Sequence, residues 1–363
     1  MATSSALELV EELGHEEVVF VHDAETGLRA VIAIHDTLLG PAVGGTRMRV
    51  YPRFEDAVVD ALRLSRAMTY KAAMAGIPRG GGQAVIGGNP ARDKSRGLLL
   101  SYAKAVERLG GRFQTGGDMG IDSRDLAVMA RSTSAVHSGE VAADRDVPTL
   151  TAIGVVEGIR AAARVRGARL DDVHVAVQGL GQVGAALARR LAVEGARLTI
   201  ADIDAGRVER VQAETSALSV PDDDIYDVAA DVFSPNAAGG VLSAATLPRL
   251  RCRAIVGAAD EQLADAETGD ALHERGILYA PDYVASAGGL YSLLAEGDDI
   301  DVIDRVREIG PRLAELFDRS REEEVPTHRL ADQIVEERRA AAREERQLAR
   351  RPRPPEASEW ENP

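Results

Sequence analysis

Two short runs near the start of the chain, Val18 to His22 and Leu28 to His35, are rich in β-branched and apolar residues. They flank the turn residues Asp23 to Gly27, which predicts two strands around a turn. The period then lengthens. From Glu55 to Ala75, Val58, Leu62, Ser65 and Met68/Thr69 fall along one face at helical spacing, and Gly76 and Pro78 should end that helix. Ala84 to Ile86 reads as a short strand and Lys94 to Leu109 as a second helix. A further helix, capped by Asp122 or Ser123, follows Asp118. The Gly/Pro-rich segment 40–49 reads either as a loop between strands or as a backbone wall against a ligand.

Past a boundary expected at Asp144 to Pro148, a helix from about Thr151 to Val165 leads into a different pattern. The apolar strand V-H-V-A-V-Q runs directly into G-L-G-Q-V-G, Gly179 to Gly184. A helix, Ala185 to Val193, and a second strand, Arg197 to Ala201, follow, and Asp202 comes next. Glycines between a strand and a helix, with an acid about 20 residues on, form a dinucleotide-binding fingerprint. Asp231 to Phe233, Ala254 to Val256 and Ile277 to Tyr279 read as successive strands, and 285–290 as a glycine turn. Glu322 to Arg351 mixes Glu, Arg and Ala and reads as a solvated helix with i,i+4 pairs. The Pro-rich end reads as disordered, and its Trp360 receives no role. The fold expected is α/β with two domains: 1–148 for substrate, 149–320 a doubly wound Rossmann domain, and 321–363 a charged helical extension and tail.

Composition narrows the function. The chain has 363 residues, 45% hydrophobic and 28% charged, as in a globular protein of two domains. A net charge of -15 argues against nucleic acid and anionic membrane as partners. No apolar run approaches the roughly 18 residues of a membrane span. The acidic start lacks the features of a signal peptide, and a single cysteine, Cys252, fits the cytoplasm. One Cys and seven His show no zinc-type spacing, so no metal is expected.

Only three of the 43 Lys+Arg residues are lysines: Lys71, Lys94 and Lys104. Where arginine has taken nearly every cationic position, Lys71, in an apolar setting beside the glycine triplet Gly80 to Gly82, points to a role that needs a compact charge. An ammonium in such a setting should have either a buried partner or an anionic ligand. In the glycine fingerprint, Gly179, Leu180, Gly181, Gln182, Val183 and Gly184 would carry a pyrophosphate at a helix N-terminus. Asp202 would accept from the ribose 2′-hydroxyl and repel a 2′-phosphate, which favours NAD, while Arg207 nearby softens that preference.

The segments P-A-V-G-G-T-R-M, M-T-Y-K-A-A-M-A-G, G-G-G-x-A-V-I, T-G-G-D-M-G, Q-G-L-G-Q-V-G and Y-A-P-D-Y-V-x-x-A-G-G occur in that order. Over roughly residues 15 to 320 the chain thus resembles the Glu/Leu/Phe/Val dehydrogenase family, closest to its leucine, valine and phenylalanine branch. The resemblance implies NAD-dependent oxidation of an amino acid to an imine, hydrolysis to the 2-oxo acid and ammonium, and a homo-oligomer of two to eight subunits. It implies that Lys71 binds the substrate carboxylate, that Gly44 and Gly45 line the site, and that Asp118 handles protons at the amino nitrogen. Val43, Gly116, Leu290 and Leu293 match positions that shape the side-chain pocket. All are small or apolar, which suits an aliphatic or aromatic side chain. Asp260 falls where the nicotinamide and substrate amine should meet.

One departure bears on the chemistry. Where active members have lysine after the glycine triplet, this chain has Gln83. That lysine is the general acid/base for water attack on the imine. An amide exchanges no proton near neutral pH, and losing a general acid/base costs about 10² to 10⁴ in rate. Asp260 and Glu261 replace the usual Asn-Asn, Ser286 an asparagine and Gly117 a glutamate. Three activities are compatible with these exchanges. One is a working dehydrogenase in which Asp118 or Asp260 serves the water step. Another is an imine-forming or imine-reducing biosynthetic enzyme, and the third a non-catalytic NAD-binding member.

Overall fold

In the computed structural model, which describes residues 6–137, 146–294 and 300–349, each half of the chain builds one sheet. After helix α1 (Ala6–Leu13), strands β1 (Glu17–Asp23) and β2 (Leu28–Asp36) pair antiparallel around the expected turn. The segment 40–49 is not a loop between strands: it forms β3 (Ala42–Arg49). Helix α2 (Phe54–Ala75) matches its predicted span and ends on Gly76 in the left-handed conformation, φ 69°. β4 (Gly80–Gly87), α3 (Arg96–Glu107), β5 (Phe113–Gly117) and α4 (Ser123–Met129), capped by Asp122, complete this half. The sheet order is β1-β2-β4-β3-β5, with β3 parallel to both of its neighbours.

β4 begins four residues before the predicted Ala84, because the glycine triplet is itself strand. A Cβ on Gly80 would lie 1.8 Å from the Asp36 carbonyl oxygen, and one on Gly81 would lie 2.1 Å from the Thr69 backbone nitrogen in α2. On Gly82 it would meet the Phe113 ring at 2.6 Å. Close approach of protein to protein, above all of α2 to the strand, is what requires glycine here.

The second half opens with α5 (Val147–Val165), capped by Asp146, and continues β6 (His174–Gln178), α6 (Gln182–Val193), β7 (Arg197–Ala201), α7 (Ala205–Thr215) and β8 (Leu218–Ser219). β9 (Val232–Pro235), β10 (Ala254–Ile255), α8 (Ala266–Glu274) and β11 (Leu278–Tyr279) follow. All six strands are parallel, in the order β11-β10-β9-β6-β7-β8. This is the doubly wound sheet that the βαβ pattern predicts. Where a glycine turn was expected at 285–290, α9 (Asp282–Ala285) runs into a 3₁₀ helix, Ser286–Leu294.

The C-terminal part corrects a second expectation. After α10 (Ile300–Arg307), α11 (Ile309–Glu323) stops at Glu324, φ 55°, ahead of Pro326, and α12 (Thr327–Ala349) starts afresh. α12 is not solvated all round, for Leu330, Ala331 and Val335 are fully buried. It touches both halves: the Tyr283 hydroxyl donates to Asp332 at 2.7 Å and the Tyr70 hydroxyl to Glu336 at 2.5 Å. Arg339 pairs with the buried Asp36 at 2.8 Å. Three apolar positions amid dense charge hide such a face from a periodicity reading. Trp360 and the Pro-rich tail lie outside the described residues, as do Asp144 and Arg145 of the expected boundary. Among the described residues no helix is long and apolar enough to cross a membrane.

Two histidines tie α1 to the first sheet. His35 bonds the Thr69 hydroxyl at 2.8 Å and the Leu13 carbonyl at 3.0 Å, and its ring packs edge-on against His15. Burial first, then the neighbouring charges, push His35 down to about 3 and His15 to about 4, from 6.5. Their folded pKa values lie below the unfolded one, so below pH 6.5 the unfolded chain takes up protons that the folded chain refuses. Stability is full above pH 6.5 and falls toward about pH 3. A His35→Gln variant, measured by calorimetry against pH, should lose less Tm across that window than the wild type. An equal slope would show that His35 does not drive the acid loss.

Candidate active site

The pairing of β3 with β5 sets Gly45 opposite Gly116, and Asp118 follows β5 at once. A Cβ on Gly45 would meet the Asp118 Cβ at 2.8 Å, so the missing side chain is what admits the aspartate against β3. From β4, Gln83 reaches the same place and is 3% exposed. Its Nε2 donates to Asp118 Oδ2 at 2.7 Å and its Oε1 accepts from the Gly45 N–H at 2.9 Å. An amide offers both a donor and an acceptor, and both are used. The Met119 N–H donates to Asp118 Oδ1 at 2.6 Å.

Arg47, two residues beyond Gly45 and so on the same side of β3, donates to Asp118 at 3.0 Å and to Asp60 of α2 at 3.2 Å. Tyr51 closes the group with a short hydrogen bond to Asp60. Burial opposes the Arg47 charge, but Asp118 and Asp60 outweigh it and its pKa rises. The sequence reading assigned no role to Arg47, Tyr51 or Asp60. The signal available was the period-two relation of Arg47 to Gly45; Asp60 and Tyr51 join only through the tertiary fold.

Lys71, on α2, stands at a second cluster. Its ammonium donates to Asp260, from the loop after β10, at 3.3 Å. A cavity of about 230 Å³ opens beside them, lined also by Arg63, Arg66, Tyr70, Glu261, Asp282 and Tyr283. Asp118 and Gln83 do not line it. Burial raises Glu261; Arg63 and Arg47 oppose this while Asp60 and Asp260 add to it, so this carboxyl senses both clusters. Asp282 accepts from the Gln262 and Tyr283 N–H groups at 3.0 and 2.7 Å. Burial and then the Asp260 charge push its carboxyl up to about 6, with Lys71 acting against them.

The glycine loop joins β6 to α6, in the second sheet. Gly179 turns the chain at φ 85°, and a Cβ on Gly184 would strike the Gly179 carbonyl oxygen at 1.9 Å. A Cβ on Gly181 would meet nothing within 4 Å, which leaves open space over a helix N-terminus that has no side-chain cap. Such a cradle fits a pyrophosphate. Leu180, Gln182 and Val183 lie in the same turn and first helical residues. Asp202, directly after β7, accepts from the Leu180 N–H at 2.6 Å and the Asp204 N–H at 2.8 Å, with Arg207 3.7 Å away. The carboxylate therefore sits against the glycine loop. Asp260 lies across from Lys71.

The apolar positions fall as follows. Val43 in β3 and Leu290 in the 3₁₀ helix are 1% and 4% exposed and belong to one apolar cluster with Tyr70 and Ala72 of α2. Gly44 pairs with Thr115, and a Cβ there would lie 3.2 Å from Gln83 Oε1. The side chain of Leu293 lies outside the described residues. Among the described residues no group of three or more His, Cys, Asp or Glu side chains is arranged to hold a metal.

Residues 15–135 match the Glu/Leu/Phe/Val dehydrogenase dimerisation domain and residues 199–296 the Glutamate/Leucine/Phenylalanine/Valine dehydrogenase domain. The chain is 40% identical over 336 residues to the leucine dehydrogenase of Geobacillus stearothermophilus, covering 91% of this chain and 92% of that one. It is 42% identical over 337 residues to the L-tryptophan dehydrogenase of Nostoc punctiforme, covering 91% and 95%. The crystal structure of the L-tryptophan dehydrogenase from Nostoc punctiforme superposes with a TM-score of 0.79 at 41% identity, over 93% of this chain and 99% of that one.

Proposed function

Because the chain belongs to the Glu/Leu/Phe/Val dehydrogenase family of amino-acid dehydrogenases, we propose that it catalyses the NAD-dependent oxidative deamination of an apolar L-amino acid to its 2-oxo acid. The observation that carries this reading is Asp118, held by Gln83, Arg47 and the Met119 N–H at the end of β5. A fixed carboxylate of this kind suits proton transfer at a substrate amine. The buried Val43 and Leu290, with Gly116, support an apolar substrate side chain, and Lys71 supports a carboxylate anchor. Asp202 beside the glycine loop supports NAD over NADP.

When bound, the nicotinamide supplies the acceptor for the hydride from the substrate Cα. The chain's residues do the rest. Asp118 takes the proton from the amino nitrogen, and Lys71 fixes the carboxylate. Gln83 holds Asp118 in place but takes no proton from the water that adds to the imine carbon. Water addition is therefore the slow step, and Asp118 alone moves protons for it. The match of residues 15–135 to a dimerisation domain supports a homo-oligomer, and the single cysteine a cytoplasmic location.

The test is NADH formation at alkaline pH with L-Leu, L-Val, L-Ile, L-Phe and L-Trp, beside fluorescence titrations of NAD and NADP. Slow turnover on at least one of these amino acids, with NAD bound more tightly than NADP, is expected. Tight NAD binding with no turnover on any of them would sink the reading and leave an imine enzyme or a binding protein.

A further inference from the structure

Lys71 already has a carboxylate. Asp260 lies 3.3 Å from its ammonium, and the pair bridges α2 of the first half and the β10 loop of the second. Lys71 is 15% exposed and Asp260 54%, so the lysine is lodged in the cleft wall while its partner reaches in from the solvent side. We propose that Asp260 is a built-in competitor for the substrate carboxylate: it occupies Lys71 in the empty cleft, and an amino acid binds by displacing it. The proposal rests on the reading of Lys71 as the carboxylate anchor.

Three observations favour a competitor over a plain structural bridge. A half-exposed aspartate gives up its partner at little desolvation cost, so a ligand can displace it. The loop that carries it is held in place, because the Gly240 N–H donates to the Glu261 carbonyl at 2.7 Å and the Gln262 N–H to Asp282 at 3.0 Å. The displaced carboxylate therefore stays near the lysine and keeps acting on whatever replaces it. Finally, no second cation is at hand at the neighbouring cluster, where Gln83 is neutral and Arg47 is already shared between Asp118 and Asp60. An incoming carboxylate therefore meets an internal rival at Lys71, in a cavity whose wall also carries Arg63 and Arg66. The same charge set does not penalise a ligand whose carboxylate is masked as an amide.

The test compares isocaproate with its neutral amide, isocaproamide, by fluorescence titration of the enzyme–NADH complex in the wild type and Asp260→Asn. Removing a partly exposed charge at ion-pair distance changes affinity by about three- to fivefold. Isocaproate should tighten by that factor in Asp260→Asn, while isocaproamide and NAD change by less than about twofold. Unchanged isocaproate affinity, equal tightening of both probes, or a change confined to NAD would each overturn the proposal. The double variant Lys71→Ala/Asp260→Asn separates the two levels of inference. If it binds isocaproate as tightly as Asp260→Asn does, the anchor reading of Lys71 fails, whatever Asp260 does. Because neither probe reacts, the outcome does not depend on turnover.

Discussion

Asp118→Asn lowers kcat for amino-acid oxidation by about 10² to 10⁴, the usual loss when a positioned acid/base is removed. The substitution keeps the side chain's shape and removes its ability to take a proton from the substrate amine. It also unsettles the hydrogen bonds. Asp118 accepts from Arg47, Gln83 and the Met119 N–H, and an asparagine offers one oxygen where the carboxylate offers two. Gln83 cannot simply turn over to present its oxygen, because that oxygen accepts from the Gly45 N–H at 2.9 Å. One donor is left facing another, at a cost of about 1–3 kcal/mol. That local cost is small beside the stability of a whole domain, so circular dichroism should show an intact fold. A kcat within tenfold of the wild type, in a folded variant, would remove Asp118 from proton transfer.

What could be read from the chain alone follows the range of the interactions. Helix α2 and the dinucleotide loop are local: apolar residues repeat every third or fourth position, and glycines fall where a tight turn and a helix start need them. β3 and the first residues of β4 were not legible as strand, since glycine carries no hydrophobic signal and here serves the approach of α2 and of Asp118. The fit of Gln83 between Gly45 and Asp118 required the register of three strands to be known. Lys71 was singled out by the scarcity of lysine, yet its partner lies 189 residues away, in a loop of the other half. The inner face of α12 was obscured for a different reason. Its arginines reach Asp36 and the α2 backbone by length and charge, which leave no apolar period in the sequence.

Gln83→Lys carries the second large effect and bears directly on the step proposed to be slow. A lysine at this buried position regains a cation for the oxyanion that forms as water adds, and a group able to give and take a proton. Burial and the nearby Arg47 guanidinium would push its pKa down, toward the range where an ammonium exchanges protons near neutral pH, while Asp118 would pull it up. The substitution has a structural cost, because an ammonium cannot accept from the Gly45 N–H that Gln83 Oε1 now satisfies. One unsatisfied backbone donor costs about 1–3 kcal/mol and should appear as a lower Tm. Against that, kcat should rise about 10- to 100-fold, below the full range for an acid/base, since Asp260 still faces Lys71 and the loop after β10 is unchanged. Gln83→Met serves as the control, for it fills similar volume with no proton and no hydrogen bond to Asp118, and it should lower kcat. The measurement is kcat across pH for all three proteins, with a new pH limb expected only in the lysine variant. Unchanged turnover in a folded Gln83→Lys protein would mean that water addition is not what the wild-type residue withholds. The chemistry would then end at the imine, where hydride transfer depends on positioning more than on a proton donor.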